Sequence, residues 1–165
     1  YKKSETSKAF KLNAKTNGNG KLTYTTSNKS VATVDANGKV TVKAPGVATI
    51  TVKAAATTDY KAASKTVTVT VAPKKQSISL VNKIKKQLTI KWKKNTKASG
   101  YEVVYSKNKK FTGKKTVRKA KTTTSYKVKG LKKGKKYYVK VRSYKTVNGK
   151  RIYGAYSTAK KATIK

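Results

Sequence analysis

The feature that most narrows what this chain can fold into is a strict alternation of apolar and polar side chains, in short runs separated by turn residues. Val40 and Val42 alternate with Thr and Lys, and so do Ala48, Ile50 and Val52, and Val67, Val69 and Val71. Later in the chain Leu88, Ile90 and Trp92 share one phase, as do Tyr101, Val103 and Tyr105, and Tyr137, Val139 and Val141. Successive side chains of a β-strand point to opposite faces, so this period is that of strands with one face in a core. Val, Thr and Tyr suit such a pleated, half-buried surface. No stretch places apolar residues at the i, i+3, i+4, i+7 positions of a helix over three turns, and almost no helix is expected. Turns fall where the alternation breaks, at Asn37-Gly38, Pro45-Gly46 and Asn148-Gly149. Asn-Gly is the strongest two-residue hairpin signal, because a type I′ turn needs positive φ at both central positions. Many short strands with frequent turns predict an all-β chain of two tandem β-sandwiches.

The division falls near Pro73. The segment Val71-Ala-Pro-Lys-Lys75 reads as a short linker, since Pro cannot donate to a central ladder. Domains are therefore expected at 1–73 and 74–165. The charge divides at the same place. Residues 1–73 carry 12 Lys against Glu5, Asp35 and Asp59, a net of +9, whereas residues 74–165 carry 31 basic residues against Glu102 alone, a net of +30.

That imbalance excludes much chemistry. The whole chain has 43 Lys and Arg, 4 Asp and Glu, and no His or Cys. Imidazole bases, thiol nucleophiles and the common zinc sites are out of reach. Four scattered acids offer few carboxylate pairs and no calcium cage. No catalytic residue, cofactor or metal is expected. No apolar run approaches the ~20 residues of a membrane span, and no leader-like stretch is present, which reads as a mature or excised piece of a longer protein.

Particular segments carry resemblances. Leu22-Thr-Tyr-Thr-Thr-Ser-Asn-Lys-Ser-Val-Ala-Thr-Val-Asp35, then Gly38-Lys-Val-Thr-Val42 and Gly46-Val-Ala-Thr-Ile-Thr-Val52, resemble the bacterial Ig-like family, group 2, over about residues 8–72. Trp92, Gly100-Tyr-Glu-Val-Val-Tyr105 and Leu131-Lys-Lys-Gly-Lys-Lys-Tyr-Tyr-Val-Lys-Val-Arg142 resemble a fibronectin type III domain over 76–165. Leu131 and Tyr137 look like that family's tyrosine corner, in which the hydroxyl bonds back to upstream backbone. Lys133 stands where the family usually has Pro, and the adhesion tripeptide of some animal members is absent. The resemblance implies a non-catalytic module of a longer protein on a bacterial surface or secreted from it, in the manner of lysine-rich repeats of Gram-positive bacteria. Other domains of the parent chain are its expected neighbours, and a monomer is expected.

Two features bear on partners. Trp92, Tyr101, Tyr105 and Leu131 sit in inward phase and are read as core. Tyr138, Lys140, Arg142 and Tyr144 take the opposite phase of one strand, and the hairpin beyond adds Lys150, Arg151 and Tyr153. Together these seven form a candidate platform for a glycan or polyanion, weighed against an ordinary solvated face chosen for strand propensity. Glu102, by its phase, is expected to face outward. The lysine excess itself fits attraction to an anionic cell-wall polymer or host matrix, and also protection of strand edges from aggregation. Base-specific nucleic-acid reading relies on the Arg fork, and only three of the 43 basic residues are Arg, so no specific nucleic-acid partner is expected.

Overall fold

The computed structural model describes residues 1–165 and contains strands and no helix. Two compact units follow one another, Tyr1–Ala72 and Pro73–Lys165.

The first unit holds β1 (Lys2–Ser4), β2 (Phe10–Lys11), β3 (Leu22–Thr26), β4 (Ala32–Val34), β5 (Lys39–Val42), β6 (Gly46–Ala54) and β7 (Ala63–Ala72). One sheet runs β1-β7-β6-β3 and the other β2-β5-β4. The pairing of β1 with β7 is parallel and every other pairing is antiparallel. Val31, Ala32, Val40, Ala48, Ile50, Val52, Val69 and Val71 close on one another as the core, so the alternation read from the sequence is the inward face.

Its Asn-Gly turn differs from the sequence expectation. Gly38 has φ 74°, but Asn37 is not in the left-handed region, so the loop is not type I′. Asp35 explains the difference. Its carbonyl accepts the Gly38 N–H, and its carboxylate accepts the backbone N–H groups of Asn37 and Lys39 at 2.9 Å each. A side chain that satisfies two turn donors favours the wider loop with a single left-handed glycine. At Asn148 (φ 48°) and Gly149 (φ 74°), where no such acid precedes, the two-residue type I′ hairpin forms as expected.

The second unit comprises β8 (Ile78–Val81), β9 (Leu88–Trp92), β10 (Gly100–Ser106), β11 (Lys115–Ala120), β12 (Ser125–Val128), β13 (Lys136–Val147), β14 (Lys150–Tyr153) and β15 (Lys160–Thr163). The smaller sheet is β12-β9-β8 and the larger is β11-β10-β13-β14, with β15 also on β13. Between the sheets lie Leu88, Ile90, Trp92, Tyr101, Val103, Leu131, Tyr137, Val139 and Val141, all buried, with Tyr105 packed against them. Burying each such side chain stabilises the fold by about 1.5–3 kcal/mol. Two core tyrosines find partners for their hydroxyls on upstream backbone. Tyr101 accepts the Asn95 N–H at 2.6 Å, and Tyr137 accepts the Lys132 N–H at 3.4 Å, which is the tyrosine-corner contact.

β13 is long enough to hold two partners on one edge. β15 pairs with residues 136–139 and β14 with residues 144–147. Between them the edge of β13 is closed by the connecting segment. Gly154 N–H donates to Ser143 O, Ser157 N–H donates to Val141 O, and Ser157 Oγ accepts the Val141 N–H. This closure carries Tyr156 out over the sheet face that points away from the core.

Candidate functional site

That outer face of β10 and β13 is where the sequence placed a platform, and it is covered. The Lys140 ammonium lies 4.1 Å from the centroid of Phe111 and 4.4 Å from that of Tyr156. The Arg142 guanidinium lies 3.8 Å from the centroid of Tyr153 and 4.3 Å from that of Tyr156. Arg151 sits 5.4 Å from the Tyr144 ring, and Tyr144 meets Tyr153 edge to face at 5.8 Å. Cations and rings thus alternate along the face, each cation held by the ring quadrupoles. Of the seven residues singled out from sequence, Lys140, Arg142, Tyr144, Arg151 and Tyr153 meet in this stack. Tyr138 is half-buried further along the same face of β13 and touches no cation of the stack. Lys150 is exposed and, by the register of the hairpin, lies on the opposite side.

Cross-strand spacing makes room for Tyr144. It pairs with Gly100, and a Cβ at Gly100 would lie 2.5 Å from the Tyr144 hydroxyl oxygen and 2.6 Å from the Lys119 carbonyl oxygen. Only a residue without a side chain lets the ring lie across the strand there.

Glu102 departs from its expected exposure. It is on the face opposite the core, as its phase requires, but is buried at 4% exposure. Its carboxylate accepts from Arg142 Nε at 2.8 Å and from the Tyr156 hydroxyl at 2.8 Å, and forms ion pairs with Arg142 at 2.7 Å and Arg118 at 3.5 Å. The covering side chains come from loops that alternation cannot place. Burial pushes the carboxyl pKa up, but the hydroxyl and the two guanidinium groups outweigh it and hold it below the ordinary carboxylate value. For Tyr156, burial first and then its bond to Glu102 push the phenol up to about 12. Burial, with Lys114 and Arg142 nearby, pushes the Lys140 ammonium down.

Phe111, Tyr156 and Arg118 thus join a face for which the sequence does not single them out, and Glu102, expected on this side by its phase, is a buried member of it. The signal available in sequence was weak: one aromatic, Phe111, in a lysine-rich loop, and another, Tyr156, in the lysine-free segment 154–159. Chemically, the stack holds an ionised carboxylate and a protonated phenol that are already engaged with each other and with arginine. The faces of Tyr153 and Tyr156 are turned to cations of the same domain.

Comparison with known families fits these two units. Residues 71–158 match the family model of the fibronectin type III domain. The chain belongs to the fibronectin type III family. Ahead of that domain, residues 6–57 match the family model of the intimin immunoglobulin-like domain, so an Ig-like domain and a fibronectin type III domain stand in tandem. No curated protein matches the chain. Among solved structures, the chicken CNTN1 FN1-FN3 domains align with a TM-score of 0.50 at 18% identity, over 79% of this chain and 49% of that one. This chain therefore spans about half the length of that relative. A computationally redesigned β-sandwich protein aligns with a TM-score of 0.46 at 14% identity, over 55% of this chain and 93% of that one. The likeness to the CNTN1 domains concerns the fold alone, which is all-β and sandwich-built. Ig-like and fibronectin type III domains are typically non-catalytic and are typical of extracellular or surface proteins. No helix of the chain is long and apolar enough to cross a membrane.

Proposed function

We propose that this tandem is a spacer and interaction module of a larger bacterial surface or secreted protein, and that its lysine-rich exterior draws it to anionic cell-wall or host-matrix polymer. One observation carries the reading. The fibronectin type III half has 31 basic residues against one acidic side chain, and that carboxylate is buried and taken by Arg118 and Arg142. The ammonium groups around it project a field that no carboxylate side chain of the same unit offsets. Lysine is a hydrated point charge rather than a planar fork, so such a surface favours diffuse polyanions over a shaped ligand.

Binding of the chain to polyglycerol phosphate, to heparin and to neutral glycans, each at low and high salt, tests this. The expected result is attachment to both polyanions that falls steeply as salt rises, because neutralising a polyanion releases its condensed counterions. Retention of a neutral glycan at high salt, abolished by Tyr138→Ala or Tyr144→Ala, would overturn it in favour of a carbohydrate-binding module. The stack weighs against that outcome, since Arg151 and Tyr153 already lie against Tyr144.

A further inference from the structure

One concavity of the second unit gathers four of its lysines. At one end of the second unit, between the edges of its two sheets, a hollow of about 280 Å³ opens. Its floor is buried: Val128, Leu131 and Tyr137 from the core, and Ser106, whose hydroxyl donates to Thr112 O. Four exposed lysines stand around it, Lys107, Lys115, Lys129 and Lys132, and no acidic residue lines it. The other hollows differ. One of about 570 Å³ in the first unit is lined by Leu, Ala, Val and Tyr side chains with three lysines spread around it, the one beside Phe10 includes Asp35, and the one beside Gln76 in the second unit has only Lys75 and Lys160.

The geometry points to this hollow as a binding site for a single phosphate group, the place where one phosphate of an anionic chain is seated rather than merely attracted. Low-dielectric walls under a ring of like charge concentrate the potential at the mouth, so a compact anion gains more here than on a flat lysine surface. The floor adds a directional group. The Tyr137 hydroxyl oxygen accepts the Lys132 N–H, which leaves its own proton free to be donated. Turns at Gly113 (φ 56°) and Gly130 (φ 68°) bring the lysine-bearing segments to the rim, and both glycines line the hollow. Four ammonium groups and a phenol suit a tetrahedral oxyanion presented at the end or along the backbone of a polymer, and offer nothing to a neutral sugar.

The inference rests on the polyanion reading above and goes one step further, from a field to a seat. The probes are inorganic phosphate, glycerol 1-phosphate, glycerophosphocholine as a diester, and sulfate, each titrated at constant ionic strength into the full chain while amide chemical shifts are followed. Saturable shifts are expected at Gly113, Gly130 and Lys132, with one apparent affinity. Lys129→Gln and Lys132→Gln should each weaken it about tenfold, as expected for loss of one charge-assisted hydrogen bond. Lys83→Gln and Lys94→Gln remove the same charge from elsewhere in the unit and should leave it within a factor of two. A diester response matching the monoester's identifies chain phosphates as ligands; a monoester response alone identifies chain ends or free phosphate. Shifts spread over all lysine-bearing strands, or equal losses in all four variants, would overturn the seat and leave the field standing. Failure to bind the long polyanions would remove the field instead.

Discussion

Glu102→Gln isolates the energetics of the covered face. In the native domain the carboxylate meets Arg142 through two nitrogens, Arg118 through one and the Tyr156 hydroxyl at 2.8 Å. The amide keeps the volume and removes the only acidic side chain in a unit of net charge +30. Removing one partner of a buried ion pair costs about 3–5 kcal/mol when the other is left without water. Arg142 retains 25% side-chain exposure and Arg118 51%, so water recovers part of that loss, and about 2–3 kcal/mol is expected. For a domain of this size that is a fall of very roughly 8–24 °C in melting temperature. Trp92 makes the measurement domain-specific, because it is the sole tryptophan and is buried in the second core. Urea unfolding followed by its fluorescence reports the fibronectin type III domain whatever the Ig-like domain does. The pH dependence follows with a definite sign. A carboxyl whose folded pKa is depressed stabilises the fold above its unfolded value and loses that contribution as pH falls through the folded value. Native stability should hold above about pH 4.5, the ordinary value, and decline below it, whereas Glu102→Gln should be flat through that window. A variant within about 0.5 kcal/mol of the native protein at pH 7, the usual range of a surface change, would refute the reasoning. So would an acid decline equal in both proteins.

Three other outcomes follow. Gly100→Ala should destabilise the Trp92-reported unit by about 1–3 kcal/mol, the cost of overpacking; Tyr144→Ala added to it should recover only part, because the Lys119 carbonyl, as backbone, cannot step aside, and full recovery would contradict the contact geometry. Tyr156→Phe should cost about 1.5–3 kcal/mol at neutral pH through the lost bond to a charged acceptor. The native phenol is held protonated to about 12, so its contribution is complete below the ordinary value near 10 and lost as pH rises toward 12; a Tyr156→Phe variant with the same alkaline decline would show that another group is responsible. Finally, the self-repulsion of 31 cations should relax with screening, and the melting temperature of the second unit should climb smoothly from 10 mM to 500 mM salt; a flat profile would show the charges to be already screened from one another.

The positions of the strands and their inward faces were legible because period-two alternation is a local property. Val139 and Val141 face the core in the structure as their phase requires, and so do Tyr101 and Trp92. The outer face was legible only in part. Phase assigned Glu102 to the correct side of β10, but exposure depends on what lies above the sheet, and Val104 is fully buried there as well. Phe111 and Tyr156 reach Lys140 from loops whose course is set by Phe111 at φ 62° and by the closure of β13 at Ser157, neither of which leaves a periodic trace. The two Asn-Gly turns make the same point at smaller scale. One dipeptide gives two loops, and the deciding group is Asp35, two residues before Asn37.

The alternating rings and cations on β13 have a consequence for a protein so poor in acid. Aromatic π clouds here stand in for the missing anions, and unlike carboxylates they cannot be titrated away. Lys3 over Phe10 and Lys119 over Tyr126, each at 4.2 Å, repeat the device elsewhere. Acid strong enough to protonate Glu102 would leave every one of these neutral counterweights in place.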